Sequence, residues 1–203
     1  MTIRPGEPWG RTVPRPANLR VATGDAELAA MLTDGSGIPA TASAGDIART
    51  LGRPRSATAA ELLEVPLDLV AVSVDGADPT YAVAHVVARS PWWRGSWWHG
   101  PVVVVMNAEF MGEWDVAPRG HPNDGRVETF EALADLGARQ RVGCSRRLRT
   151  AGHVPHPGIR TRPVRSASWT FERPVHVVAD GLRIGRGHHL EVTVLPDAAV
   201  LYA

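Results

Sequence analysis

Apolar residues change rhythm along the chain. Before residue 65 they fall at helical spacing. Leu28, Met31 and Leu32 share one face of a segment at 26–33 that opens after Gly24-Asp25 and stops at Gly35 and Gly37. A short strand at 19–22 leads into it. Residues 44–52 predict a second short helix, ended by Gly52 and Pro54, and 59–64 a third, capped by Ser56 or Thr58. From Pro66 the pattern turns to β. Residues 68–75 alternate in places, Gly76 turns the chain, and 81–89 follows as the partner strand of a hairpin. Residues 102–108 predict an apolar strand, 109–127 are rich in turns, and 131–149 predict a helix with Leu133, Leu136 and Ala138 on its apolar side. The tail returns to strands at 167–172, 175–179, 190–195 and 199–202, with a turn at Asp180-Gly181. Many short strands between turns predict an α+β, mostly β protein: an antiparallel β-sandwich over 66–203 with a small helix-rich part at 19–65 packed against it.

Residues 1–18 carry Pro5, Pro8, Pro14 and Pro16 and read as an extended arm that Trp9 pins to the body. The start of the chain has no apolar leader, and the apolar run at 102–106 is too short to span a bilayer. A cytoplasmic protein is expected. Hydrophobic residues at 44% and charged residues at 21% exclude a disordered chain. A formal charge of +1 gives no argument for nucleic acid. All 22 basic residues are Arg, too many for anion recognition to explain, and a coding bias accounts for them as simply. Cys144 is the single cysteine, which excludes an internal disulfide.

Two stretches carry a family likeness. Residues 106–129 read MNAEFMGEWDVAPRGHPNDGRVET and residues 177–203 read VVADGLRIGRGHHLEVTVLPDAAVLYA. Asn107, Gly112, Ala117-Pro118, Asn123-Asp124-Gly125, Asp180-Gly181 and Leu195-Pro196-Asp197-Ala198 stand in one order. In that order and spacing the chain resembles the C-terminal β-sandwich domain of bacterial diacylglycerol and related lipid kinases. A fainter likeness precedes it. Thr23-Gly24-Asp25-Ala26-Glu27 stands where that family has a Gly-Gly-Asp-Gly-Thr nucleotide loop. Ser43, Gly45, Asp46, Ala48 and Arg49 stand in the place of its Gly-Thr-x-Asn-Asp-Phe-Ala-Arg segment. The resemblance implies a shortened nucleotide-binding part at 19–65, with Gly24, Asp25, Ser43 and Asp46 as the remnant of its loops. It also implies a Mg²⁺ ligand at Asp124, with the carbonyls of His121 and Arg126 beside it.

The departures bear on phosphoryl transfer, which needs positioned phosphates, a metal and a group that takes the acceptor's proton. Glycine loops serve because backbone N–H groups must come close to phosphate oxygens. Here two loop glycines are Thr23 and Ala26, and Glu27 places an anion where phosphate would sit, a repulsion worth roughly a few kcal/mol in a dry site. Only 22 residues precede the loop, whereas one βαβ unit needs about 30. Leu182 occupies the position of the family's Asp-Gly-Glu carboxylate, and loss of a general base costs ~10²–10⁴ in rate. Asp180 and Glu191 are the substitutes at hand. These changes argue against ATP as a cofactor. The expected protein is a degenerate, non-catalytic lipid kinase relative that binds a lipid, a phosphate compound or a protein. The alternative is an ATP-dependent lipid kinase whose site is unusual or completed by a partner.

Other features each have two readings. Asn123-Asp124-Gly125 suits a cation, and equally a tight turn in which Gly125 takes positive φ, which is the favoured reading. His153 and His156 flank Pro155 in extended geometry that sends them to opposite faces, so a shared zinc is not expected; solvated or hydrogen-bonded histidines are. Residues 139–171 hold eight Arg and no acid. Arg146, Arg147, Arg149, Arg160 and Arg162 could hold a phospholipid headgroup, another anion or a peripheral membrane surface. They could equally be balanced by the acids at 109–135. The pairs Trp92-Trp93 and Trp97-Trp98 read as a lipid-contacting loop or, the favoured reading, as the seal of a core.

Overall fold

A computed structural model describes residues 8–52, 59–133 and 136–203. The strands are β1 (Arg11–Pro14), β2 (Arg20–Ala22), β3 (Ala40–Ala42), β4 (Glu61–Val74), β5 (Thr80–Ala82), β6 (His85–Arg89), β7 (Val102–Met106), β8 (Phe110–Met111), β9 (Trp114–Asp115), β10 (Val127–Ala132), β11 (Ile159–Val164), β12 (Ser166–Ala179) and β13 (Leu182–Tyr202). The helices are α1 (Asp25–Thr33), α2 (Asp46–Thr50) and α3 (Ala138–Arg147). One sheet runs β1-β4-β13-β12-β6-β7-β10-β11, with β5 also on β4, and every pairing in it is antiparallel. The sole parallel pair among the described residues is β2 with β3, bridged by α1.

Strand alternation builds the layers. On β4, Val65, Leu67 and Leu69 face α1 and α2, meeting Leu28 and Ile47. Val70 and Val72 face a second core with Val86, Val103, Trp169, Val177 and Leu190, where the curled sheet closes on itself as a sandwich. The run at 102–106 is apolar throughout because β7 is covered on both sides. Val103 and Val105 enter the sandwich core, while Val102, Val104 and Met106 face a third cluster with Val116 and Phe130.

The sequence reading and the structure differ at three places. Residues 61–64, expected as a helix, are the start of β4, with Leu62 buried and Leu63 exposed. Pairing with β1, Val13 opposite Leu62, overrides their helical propensity; the proposed caps Ser56 and Thr58 lie outside the described residues. Residues 131 and 132 end β10 instead of opening a helix, because they pair with both β7 and β11. Of the hairpin expected for 81–89, only β5 pairs with β4; β6 leaves to lie between β12 and β7. Trp9 does pin the arm: its indole N–H donates to the Pro66 carbonyl at 3.2 Å and its ring meets His121 edge-on.

Asp68, fully buried on β4, ties three distant segments together. Its carboxylate accepts the Gly125 N–H (2.7 Å), the Asp197 N–H (2.9 Å) and the Asn123 side-chain amide (3.0 Å). Removing it leaves three donors without an acceptor, each worth about 1–3 kcal/mol when stranded. Asp68→Ala is therefore expected to destabilise the protein by at least about 3 kcal/mol in urea unfolding. A loss below about 1 kcal/mol would show that these segments are held by packing alone.

Candidate functional site

Three carboxylates and one imidazole gather where α1, α2, residues 83–85 and the β12–β13 turn meet. Asp25 opens α1, yet its carboxylate reaches α2 and accepts the N–H groups of Asp46 (2.6 Å) and Ile47 (3.0 Å). Gly45 makes room for this. Its φ is +105°, and a Cβ there would lie 2.5 Å from Asp25 Oδ1. The asparagine expected at that position from the family pattern is sterically excluded. Asp46 then accepts the Gly112 N–H at 2.7 Å, and Arg49 lies 4.1 Å over the Phe110 ring and bonds the Gly112 carbonyl. The two motif halves, more than sixty residues apart, are thereby docked on each other.

Asp180 accepts three consecutive N–H groups, from Val83 (2.7 Å), Ala84 and His85 (both 2.9 Å). Burial raises its pKa against those bonds. Asp25 is pushed up to about 6, by burial first, with Asp180 and Asp46 adding repulsion. The His85 Nδ1 lies 3.2 Å from Asp46 Oδ2, close enough for an ion pair although too poorly aligned for a hydrogen bond. Burial pulls the His85 pKa down, but Asp46, Asp180 and Asp25 outweigh it and the net shift is upward. The sequence reading missed His85 and Asp68. Each is a lone titratable residue in an apolar run, which is the signal that could have marked them.

The remaining loop remnants are engaged locally. Glu27 accepts the Thr23 N–H (2.7 Å) and hydroxyl (2.8 Å), and these bonds lower its pKa. It thus occupies a loop donor that an incoming phosphate would need. The Ser43 hydroxyl donates to the Ala22 carbonyl. Gly24 is extended and has open space around its Cα. Leu182 is 62% exposed on the far side of the Asp180 turn, and Glu191 pairs with His189 at 2.9 Å. Neither fills the role of a base at the cluster.

Asp124 sits beside Asp68. Its N–H donates to the His121 carbonyl (3.2 Å), its Oδ1 accepts the Arg126 N–H (2.9 Å), and Gly125 has a φ of +72°. Burial raises the Asp124 carboxyl, with Asp68 adding to it, and Glu128 is raised by burial and by Asp124. The Asn123 Oδ1 is buried with no hydrogen-bond partner. Surplus negative charge beside an orphaned hard oxygen fits a divalent cation. Among the described residues no group of three His, Cys, Asp or Glu is arranged around a metal.

An apolar cavity of about 190 Å³ lies on the outer face of β7 and β10, roofed by α3. Val104, Met111, Trp114, Phe130, Leu136 and Leu148 line it, with Trp97 and Trp98 beside them. His153 is in its wall, 3% exposed, and neither ring nitrogen is hydrogen-bonded; burial lowers its pKa, so the imidazole is neutral. Asp115 and then the Val116 main chain act in the opposite sense, although Val116 is not within bonding geometry. The expectation of a solvated or hydrogen-bonded His153 is thus overturned, while His156 does accept the Gly158 N–H (3.0 Å). Arg149 pairs with Glu113 at 2.8 Å, and Arg160 and Arg162 flank Glu131 at 3.7 and 3.1 Å. Arg146 and Arg147 end α3, exposed, immediately after the lining residue Ser145.

Asp25 gives the protein a defined pH response. Its stabilising contribution is complete below about 4, its unfolded value, and is lost as pH rises through about 6. The raised His85 acts in the same sense at higher pH. Across pH 4 to 7 the stability of Asp25→Asn relative to wild type is expected to improve by on the order of 3 kcal/mol, read from urea unfolding at each pH. A constant difference between the two proteins would refute the buried-carboxylate assignment.

Comparison with known proteins agrees with this geometry at the level of the fold. No protein-family model and no curated protein sequence matches the chain. Among solved structures, a candidate diacylglycerol kinase from Bacillus anthracis str. Sterne superposes with a TM-score of 0.63 at 14% identity, covering 91% of this chain and 77% of that one. A second structure, of a diacylglycerol kinase from the same strain, gives a TM-score of 0.61 at 14% identity, covering 91% and 75%. The chain has a diacylglycerol-kinase-like fold.

Proposed function

We propose that this protein binds a lipid on a diacylglycerol-kinase-like fold without transferring phosphate. The observation that carries the reading is the apolar cavity between α3 and the β7–β10 face. A dry apolar cavity of about 150 Å³ takes a molecule the size of benzene. About 190 Å³ with an opening to solvent suits the end of one acyl chain. The unpaired His153 nitrogens would meet a lipid hydroxyl or carbonyl. Arg146 and Arg147 at the end of α3 have no ion pair among the described residues and are open to a headgroup phosphate, whereas Arg149, Arg160 and Arg162 already have acidic partners. Asp124, with the His121 and Arg126 carbonyls and Asn123 Oδ1, would hold Mg²⁺ as a structural ion that neutralises Asp68 and Glu128.

Several observations support the absence of phosphoryl transfer. Glu27 occupies its own loop, Asp25 holds α2, and Asp180 holds three N–H groups. Leu182 cannot accept a proton. One observation favours the alternative, an ATP-dependent lipid kinase: His85, paired with Asp46 beside Asp180, is placed as a base in the absence of the expected glutamate. The localisation of the protein is proposed as cytoplasmic. No helix among the described residues is long and apolar enough to cross a membrane.

Ser145→Phe, on the cavity wall, is expected to weaken displacement of a fluorescent fatty acid at least about ten-fold with the melting temperature unchanged. Equal binding by the variant would refute the cavity as the lipid site. In a radiolabel assay on mixed micelles the wild type is expected to show no transfer from ATP to diacylglycerol, and ATP-Mg²⁺ no thermal shift. Turnover lost in both Asp25→Ala and His85→Gln would establish the kinase instead. Asp124→Ala is expected to lower the melting temperature in Mg²⁺ buffer and much less in EDTA; equal losses would leave only the turn.

A further inference from the structure

The segment 91–100, between β6 and β7, only partly seals a core as its sequence predicts: Trp97 packs against the cluster of Val104 and Phe130, but its neighbours do not. Trp92 is 78% exposed, Trp93 56% and Trp98 41%. The segment is nonetheless built. Residues 92–94 form a 3₁₀ turn closed by Gly95 at φ +92°, where a Cβ would strike His99. The Trp98 N–H returns to the Gly95 carbonyl at 2.7 Å, and Arg89 stacks 5.1 Å from the Trp97 ring and bonds Ser96. A framework that fixes Trp92 and Trp93 outward needs a partner that suits them.

We propose that this segment docks the protein on an anionic membrane interface, with Trp92 and Trp93 entering the headgroup layer. Indoles prefer that layer, where an apolar ring and a polar N–H are both accommodated. The surrounding charge is complementary. Trp93 packs edge-on against His176, and the charges that act on that imidazole are those of Arg183, Arg186 and Arg89, all cationic. Arg94 adds a fourth cation between the Trp pairs. Among the described residues none of these four arginines is in an ion pair. Such clusters are drawn to acidic lipids. The surface is also continuous with the apolar cavity, because Trp97 and Trp98 of the same segment line it. A docked molecule would therefore hold the cavity mouth at the bilayer, a consequence that rests on the cavity being the lipid site.

The test is co-sedimentation of the full chain with vesicles of phosphatidylcholine alone or with about one-third phosphatidylserine. Binding is expected to the anionic vesicles, to fall at least about ten-fold on neutral ones, and to weaken at high salt. The double variant Trp92→Ser, Trp93→Ser should lose anionic binding at least about ten-fold with an unchanged melting temperature, since both rings are exposed. Ser145→Phe should still dock, so failure of the cavity reading and failure of the docking surface give different results. No binding to anionic vesicles would overturn the proposal and leave a protein as the partner of the tryptophans. Full binding by the Trp double variant would overturn it as well.

Discussion

A buried carboxylate can be tolerated only if donors surround it, and the donors available inside this fold are backbone N–H groups. Asp180 shows what that requirement does. Its three bonds to Val83, Ala84 and His85 hold the backbone at the step from β5 to β6. There the chain leaves β4 and crosses to form β6 between β12 and β7. That crossing sets His85 beside Asp46 and places β7 where both its faces are covered. Asp25 and Asp68 follow the same rule, holding α2 and the 121–125 turn respectively.

These interactions give the kinase-like motif residues Asp25, Asp46 and Asp180 structural roles, whether or not the site transfers phosphate. Asp25 and Asp46 lie where the family pattern has nucleotide-loop residues, but here they join α1, α2 and the 107–112 loop. Glu27 is compatible with this arrangement because it satisfies Thr23, and Gly45 because Asp25 fills the space beside it. Changes that would damage a phosphate site are thus mutually consistent as structure.

The cavity side has a different character. There, few polar groups meet many large apolar ones, and the cavity, α3 and the tryptophan segment adjoin. By strand alternation His85 shares a face of β6 with Val87, so the polar cluster and the cavity lie on the same side of the β6–β7 pair, while Val86 and Val103 point into the sandwich core.

The sequence by itself determined the fold class, the helices α1 and α2, the apolar strand β7, the turn at Asp180-Gly181 and the likeness to lipid kinases. All of these rest on local signals: helical spacing, glycine stops and motifs in fixed order. Tertiary structure decided what local signals do not contain. Leu62 and Leu63 suit a helix until Val13 and Thr12 pair with them, and 131–132 suit one until β7 and β11 claim both edges. Trp92 and Trp93 are exposed on the 3₁₀ turn, which hydrophobicity alone argued against. His85 and Asp68 acquired their roles only when long-range pairing surrounded them with carboxylates and stranded N–H groups, since charge and desolvation depend on neighbours that are distant in the chain.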